Sequence, residues 1–142
     1  MASVTDALNQ TTTFGYDAQG NVTSLSDPLS HVRTLAYNFY GQPLSVTDPL
    51  NQVTTFTYDP ATHSLVSVAN PLGNTTTRAY DPLGRLASQR DPRGLATSFV
   101  SDGLNRITKI IDGKLGATQF SYDPNGDLLS VTDARGNATS YT

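Results

Sequence analysis

Tyr80-Asp81-Pro82-Leu83-Gly84-Arg85-Leu86 is the stretch that decides the fold. A strand-forming aromatic residue is followed by Asp, whose carboxylate bonds nearby backbone N–H groups. Pro then presets φ at the first corner of a turn, and Gly accepts the left-handed conformation that ends it. The apolar strand resumes at Leu86. This residue order suits a type I turn followed by a G1 bulge, a connection that closes short β-hairpins.

Working outward, the pattern recurs in register. Tyr16-Asp17, Tyr37-Asn38, Tyr58-Asp59, Tyr80-Asp81, Ser101-Asp102 and Tyr122-Asp123 are spaced by 21 residues, with one step of 22 whose extra residue falls in Ala61-Thr62-His63. Two residues before the Tyr column stand Phe14, Leu35, Phe56, Arg78, Phe99 and Phe120; two before those stand Thr12, Arg33, Thr54, Thr76, Thr97 and Thr118. After the turn come Val22, Pro43, Leu65, Leu86, Ile107 and Leu128, and three further on Leu25, Val46, Val68, Gln89, Ile110 and Val131. A second turn column closes each unit: Asp6, Asp27, Asp48, Asn70, Asp91, Asp112 and Asp133. A fixed period of this length marks a repeat architecture.

All twelve acidic residues are Asp, and eleven of them occupy the two turn columns, Asp127 being the exception. So many carboxylates could suggest metal or acid–base chemistry, but one recurring at every turn is accounted for by the turn itself. Seven of the eight Pro follow a column Asp or Asn; the eighth, Pro43, points to an edge-like or bulged position. Thirteen turns separate fourteen short segments of usual strand length. Consecutive strands joined by tight turns are antiparallel neighbours, so the chain is expected to be all-β, an up-and-down meander of about fourteen strands. Thr12, Phe14 and Tyr16 alternate onto one face, as do Thr54, Phe56 and Tyr58. Val22 and Leu25 are three apart, so either both faces of the second strand are partly covered or a bulge resets the register. A twisted sheet of this width should curl, into a shell, a spiral or a closed barrel.

The chain has 142 residues and a net charge of −3, which gives no electrostatic reason for a nucleic-acid partner. It has no Cys, which removes disulfides and thiolate metal sites. No apolar run approaches the roughly 18 residues of a membrane span. The opening Met1-Ala-Ser-Val-Thr-Asp6 has neither the basic region nor the apolar stretch of a signal peptide.

The motif Tyr-Asp-x-x-Gly-Arg/Asn-Leu/Val followed by Asp-Pro-x-Gly/Asn, repeated along the whole chain, resembles the YD or RHS repeat family. The resemblance implies a β-sheet wound into a cocoon. Bacterial members and the B and C components of insecticidal toxin complexes enclose a toxin in such a cocoon, and the teneurins carry a related shell at the cell surface. Residues 1–142 would then be one array of about seven repeats with no separate toxin domain, a structural wall segment and not an enzyme. Its partners would be an encapsulated toxin or the remaining shell of a larger RHS protein. Its place would be secreted or cell-surface, within a larger or co-exported assembly. Full family members are many times longer, and the Asp-rich autoproteolytic region of the family is not evident. Asp91-Pro92-Arg93-Gly94-Leu95 looks similar to its motif but sits in an ordinary turn column.

No residue is assigned a catalytic, cofactor-binding or metal-ligating role. Ser30, His31 and Asp27 could be cast as a triad fragment, but the repeat provides no triad geometry. His31 and His63, without Cys or a carboxylate cluster, make no zinc set. Asp123-Pro124-Asn125-Gly126-Asp127 resembles a calcium loop only faintly, since no Glu exists to complete it. The alternative function is an adhesion or carbohydrate-binding module that stacks sugars on a Tyr and Phe ladder including Tyr58 and Tyr80, or a self-assembling oligomer or filament. By register the chain reads as seven repeats cut open at one turn, so Ser3-Val4-Thr5 and Thr139-Ser140-Tyr141-Thr142 are expected to pair, within one chain or between chains. The longer turn at Ala61-Thr62-His63-Ser64 is expected to be mobile and to tolerate insertions.

Overall fold

A computed structural model describes all residues, Met1–Thr142. The strands are β1 (Ala2–Thr5), β2 (Thr11–Tyr16), β3 (Val22–Ser26), β4 (Val32–Tyr37), β5 (Pro43–Thr47), β6 (Val53–Tyr58) and β7 (Leu65–Ala69). They continue as β8 (Thr75–Tyr80), β9 (Leu86–Arg90), β10 (Ala96–Ser101), β11 (Ile107–Ile111), β12 (Ala117–Tyr122), β13 (Leu128–Thr132) and β14 (Ala138–Ser140). All fourteen lie in one sheet in sequence order. There is no helix, and so none long and apolar enough to cross a membrane.

The turns have the expected construction. In the quoted stretch the Gly84 N–H donates to the Asp81 carbonyl and the Asp81 N–H to the Arg85 carbonyl, both at 2.9 Å. Twelve of the thirteen turns share this pair of bonds, with a left-handed residue at the fourth place. The thirteenth, at the inserted residue, runs from the His63 N–H to the Asp59 carbonyl, with His63 left-handed at φ 57°.

A bulge resolves the register of the second strands. Tyr16 faces Val22 and Gly15 faces Ser24, which leaves Thr23 without an opposite residue. The extra residue returns Leu25 to a place opposite Phe14, so Val22 and Leu25 share the Tyr16 face. The same shift occurs in every Tyr-Asp hairpin, and Pro43 opens its strand beside one of them. The result is a row of cross-strand pairs on one face: Phe14 with Leu25, Leu35 with Val46, Phe56 with Val68, Phe99 with Ile110, and Phe120 with Val131. Such pairs contribute roughly 0.2–1 kcal/mol each. The polar pair Arg78–Gln89, joined Nε to Oε1 at 3.3 Å, interrupts the row.

Closure into a barrel does not occur. β1 pairs only with β2 and β14 only with β13, so the terminal strands do not meet within the chain. A ring of fourteen such strands would enclose a lumen too wide for their side chains to fill, so closure would bring edge pairing but no packed core. The sheet stays a single open layer in which no residue is buried. Its accessible surface is 9744 Å², against about 7,100 Å² for a compact protein of 15.2 kDa.

Candidate functional surface

The carboxylates serve their own turns. Asp81 Oδ1 accepts the N–H groups of Leu83 and Arg85 at 2.9 and 3.0 Å, and the other turn-opening Asp and Asn make the equivalent pair of bonds except Asp59, which takes the N–H groups of Ala61 and Thr62, and Asp123. These donors hold the Asp81 and Asp102 carboxyls below the ordinary value, the backbone N–H of Arg85 and of Arg106 being the main cause. His31 Nδ1 lies 2.9 Å from Asp27 Oδ2, but the ring is exposed and the Ser30 hydroxyl makes no hydrogen bond to it. Structure thus unites two members of the triad fragment and leaves out the third. In the calcium-like segment, Asp123 Oδ1 accepts the N–H groups of Gly126 and Asp127, both at 2.8 Å, which is turn capping again. Asp91–Gly94 is likewise an ordinary turn, with the Gly94 N–H on the Asp91 carbonyl at 2.9 Å. Nowhere do three or more His, Cys, Asp or Glu side chains gather as a metal set would.

Two sets of side chains tie neighbouring repeats together from the third hairpin onward. The hydroxyls of Tyr58, Tyr80 and Tyr122 donate to the carbonyl oxygens of Pro43, Leu65 and Ile107, at 3.0, 2.8 and 2.8 Å. Arg85 and Arg106 each bind the Asp of their own turn through Nε and reach the backbone of the next turn through Nη1, at the carbonyls of Asp102 and Asp123. The Arg106 guanidinium also lies over the Tyr122 ring, 4.8 Å from its centroid. Gln42 makes the corresponding reach to the His63 carbonyl at 2.7 Å.

The exposed features lie at the two turn edges. Phe39, Tyr40 and His63 form a cluster of rings on one edge, with Tyr40 and His63 centroids 4.0 Å apart and Phe39 edge-on to Tyr40. On the opposite edge Leu8, Leu29, Leu50 and Leu72 stand 76–85% exposed at one turn position, which Arg93, Lys114 and Arg135 occupy in the later repeats. Tyr58 and Tyr80, by contrast, are half-buried with their hydroxyls committed to backbone, so they are not free stacking platforms.

The RHS Repeat family profile matches residues 2–32, 37–64, 61–97, 80–114 and 122–142. The chain belongs to the RHS repeat family. No curated protein sequence matches it significantly. Among solved structures, this RHS chain is similar to the crystal structure of TcdB2-TccC3, at a TM-score of 0.72 and 14% identity over 87% of the chain. It is also similar to the same pair without its hypervariable C-terminal region, at a TM-score of 0.62 and 15% identity over 94% of the chain. The pore of the Photorhabdus luminescens Tc holotoxin, with a point mutation in TccC3, matches at a TM-score of 0.60 and 16% identity over 92%. At such identities the likeness is one of fold, and the RHS chain spans only 8–10% of these structures' chains.

Proposed function

We propose that these repeats are a segment of shell wall in a larger RHS protein, on the outside of the cell that makes it, and that the wall encloses a toxin or other polypeptide. The supporting observation is the open single-layer sheet. It buries no residue, and both its outermost strands carry backbone N–H and C=O groups on an unpaired side. Such edges favour pairing with further strands, whether neighbouring repeats of the same wall or another copy. Its resemblance in fold to the TcdB2-TccC3 pair supports the same reading. The carboxylates bound to their own turns favour a structural role over a catalytic one. Limited proteolysis of the full-length polypeptide carrying these repeats tests the reading. A guest segment that is cut only after denaturant opens the wall is the expected result. Cleavage of that segment at an undiminished rate while the wall is folded overturns it.

A second reading, adhesion to carbohydrate, is favoured by one observation: Phe39 and Tyr40 are 87% and 63% exposed at adjacent turn positions beside His63. Exposed aromatic faces of this kind can stack on sugar rings. Selective glycan-array binding that disappears in Tyr40→Ala would support it, and an array without specific binding would remove it.

A further inference from the structure

One hairpin breaks the tyrosine column, and the sheet is open at that place. Ser101 stands where Tyr58, Tyr80 and Tyr122 stand in their hairpins. Each of those tyrosines donates its hydroxyl to the carbonyl oxygen of the residue fifteen positions earlier. The counterpart for Ser101 is Leu86, and no side-chain hydroxyl reaches its carbonyl oxygen. Ser101 lacks the ring and the reach. A cleft of about 260 Å³ is found here, lined by Arg85, Leu86, Phe99, Ser101, Asn105 and Ile107.

The lining reproduces the surroundings of a tyrosine already present in the sheet. Tyr122 faces Leu128 across its hairpin, and Ser101 faces Ile107. Arg106, sixteen residues before Tyr122, lies over its ring, and Arg85 is sixteen residues before Ser101. Arg85 is held in place by Asp81 Oδ2, by the Asp102 carbonyl at 2.6 Å and by Asn105 Oδ1 at 3.2 Å, as Arg106 is held by its own neighbours. Ring walls, a guanidinium beside them and a carbonyl acceptor at the far end are therefore preassembled. A cleft this size lies just below the roughly 300–1,000 Å³ range of drug-sized ligand sites, so it suits a single ring.

We infer that the cleft beside Ser101 is a docking site for a tyrosyl side chain supplied by another polypeptide segment. The phenol ring packs against Leu86, Phe99 and Ile107 with its face toward the Arg85 guanidinium, and its hydroxyl donates to the Leu86 carbonyl. The inference goes beyond the wall reading and does not depend on it, because the cleft is a property of this hairpin whatever the sheet encloses.

Titration of the chain with N-acetyltyrosinamide, followed by backbone and side-chain NMR shifts, tests it. Saturable shifts centred on Leu86, Phe99, Ser101 and Ile107 are expected, with an affinity on the order of millimolar for so open a site. N-acetylphenylalaninamide should bind about 2- to 10-fold more weakly, for want of the hydroxyl. Ser101→Tyr should supply the ring internally, abolish the shifts and melt higher than the parent. Absence of saturable shifts at these residues, equal binding of the phenylalanine compound, or persistence of the shifts in Ser101→Tyr overturns the proposal. So does a Ser101→Tyr protein that melts lower or does not fold, since the cleft would then not admit the ring.

Discussion

The Tyr80 hydroxyl donates to the Leu65 carbonyl oxygen at 2.8 Å, from one repeat back to the one before. In a sheet where no residue is buried, such side-chain bonds supplement a backbone ladder that has no packed core behind it. Tyr80→Phe keeps the ring and removes the bond, and should cost about 0.5–1.5 kcal/mol in urea unfolding. Tyr37 makes no corresponding bond, so Tyr37→Phe should stay within about 0.5 kcal/mol of the parent. Equal effects of the two substitutions would show that the hydroxyl bond adds nothing.

Acid should destabilise the sheet through its turns. The carboxyls of Asp17 and Asp133 are held low chiefly by the side-chain amides of Asn21 and Asn137. Those of Asp27, Asp59, Asp81 and Asp102 are held low chiefly by the backbone N–H groups of His31, Thr62, Arg85 and Arg106. Since their folded values lie below 3.8, the stabilisation is complete above that pH and is lost as pH falls through the lower folded values. The melting temperature should hold between about pH 5 and 7 and drop steeply below about pH 4. Asn38 and Asn70 already cap turns without a charge. Replacing the six Asp by Asn should therefore flatten the acid limb, and an unchanged limb would place the titrating groups elsewhere.

Leu115 carries a left-handed backbone, φ 68°, in a turn position where Gly84 has φ 78°. A side chain with a Cβ pays for that conformation and glycine does not, by roughly 1–2 kcal/mol. Leu115 is also highly exposed, so removing its side chain sacrifices little packing. Leu115→Gly should raise the melting temperature, whereas Gly84→Ala should destabilise by about 1 kcal/mol. Opposite signs in a thermal melt are the expected outcome; destabilisation by both would mean that the Leu115 side chain makes a contribution greater than its strain.

The turns and strands were legible because Asp, Pro and Gly act locally. Asp81-Pro82-Leu83-Gly84 states its own geometry, and thirteen such statements leave little freedom for the strands between them. The bulge was only half legible. The spacing of Val22 and Leu25 required either a bulge or two covered faces, and choosing needs the pairing with Gly15 and Tyr16. Closure was not legible: the sequence left shell, spiral and barrel open, because unpaired edges at β1 and β14 make pairing favourable without saying which strand they meet, and within the chain they do not meet each other. The ties made by Tyr80 and Arg106 depend on the stagger of neighbouring hairpins and the reach of long side chains. Their fixed offsets were present as column spacings, but a column does not say which carbonyl lies within 3 Å. Ser101 takes its place in the Tyr column by register alone; that it opens a cleft follows only once the positions of Arg85 and Leu86 are known.

The turn with the extra residue is better tied than its length suggests. Asp59 Oδ1 accepts bonds from the Ala61 N–H and from both the N–H and hydroxyl of Thr62, and Gln42 holds the His63 carbonyl. The left-handed His63 is nevertheless at the far end of the loop from Pro60, which gives an insertion room that the four-residue turn at Asp81–Gly84 lacks. A Gly-Ser pair inserted after Ala61 should lower the melting temperature less than the same pair inserted after Leu83. The reverse order would mean that the bonds at Asp59 outweigh the extra length.

Asp127 is the one Asp outside the turn-opening columns, and it occupies the place that Arg85 and Arg106 hold in their hairpins. There an Arg binds its own turn's Asp, Arg106 Nε to Asp102 Oδ2 at 2.8 Å, with both side chains about three-quarters shielded from solvent. In the last Tyr-Asp hairpin the turn Asp is Asp123, whose Oδ2 receives only a long contact from Asn125 Nδ2 at 3.5 Å. The Asp127 N–H caps Asp123 Oδ1, but its side-chain carboxylate has no donor for Oδ2 and adds a second negative charge four residues away. Asp127→Arg should exchange this repulsion for the ion pair seen in the two preceding hairpins. A gain of about 0.5–1 kcal/mol is expected, within the range of partly exposed ion pairs, and it should shrink as salt is raised. Asp127→Asn removes the repulsion without supplying the pair, so it separates the two contributions. If Asn stabilises as much as Arg, relief of charge explains the gain and the pairing does not. If neither stabilises, the Arg column is tolerated at this hairpin but contributes nothing to holding it.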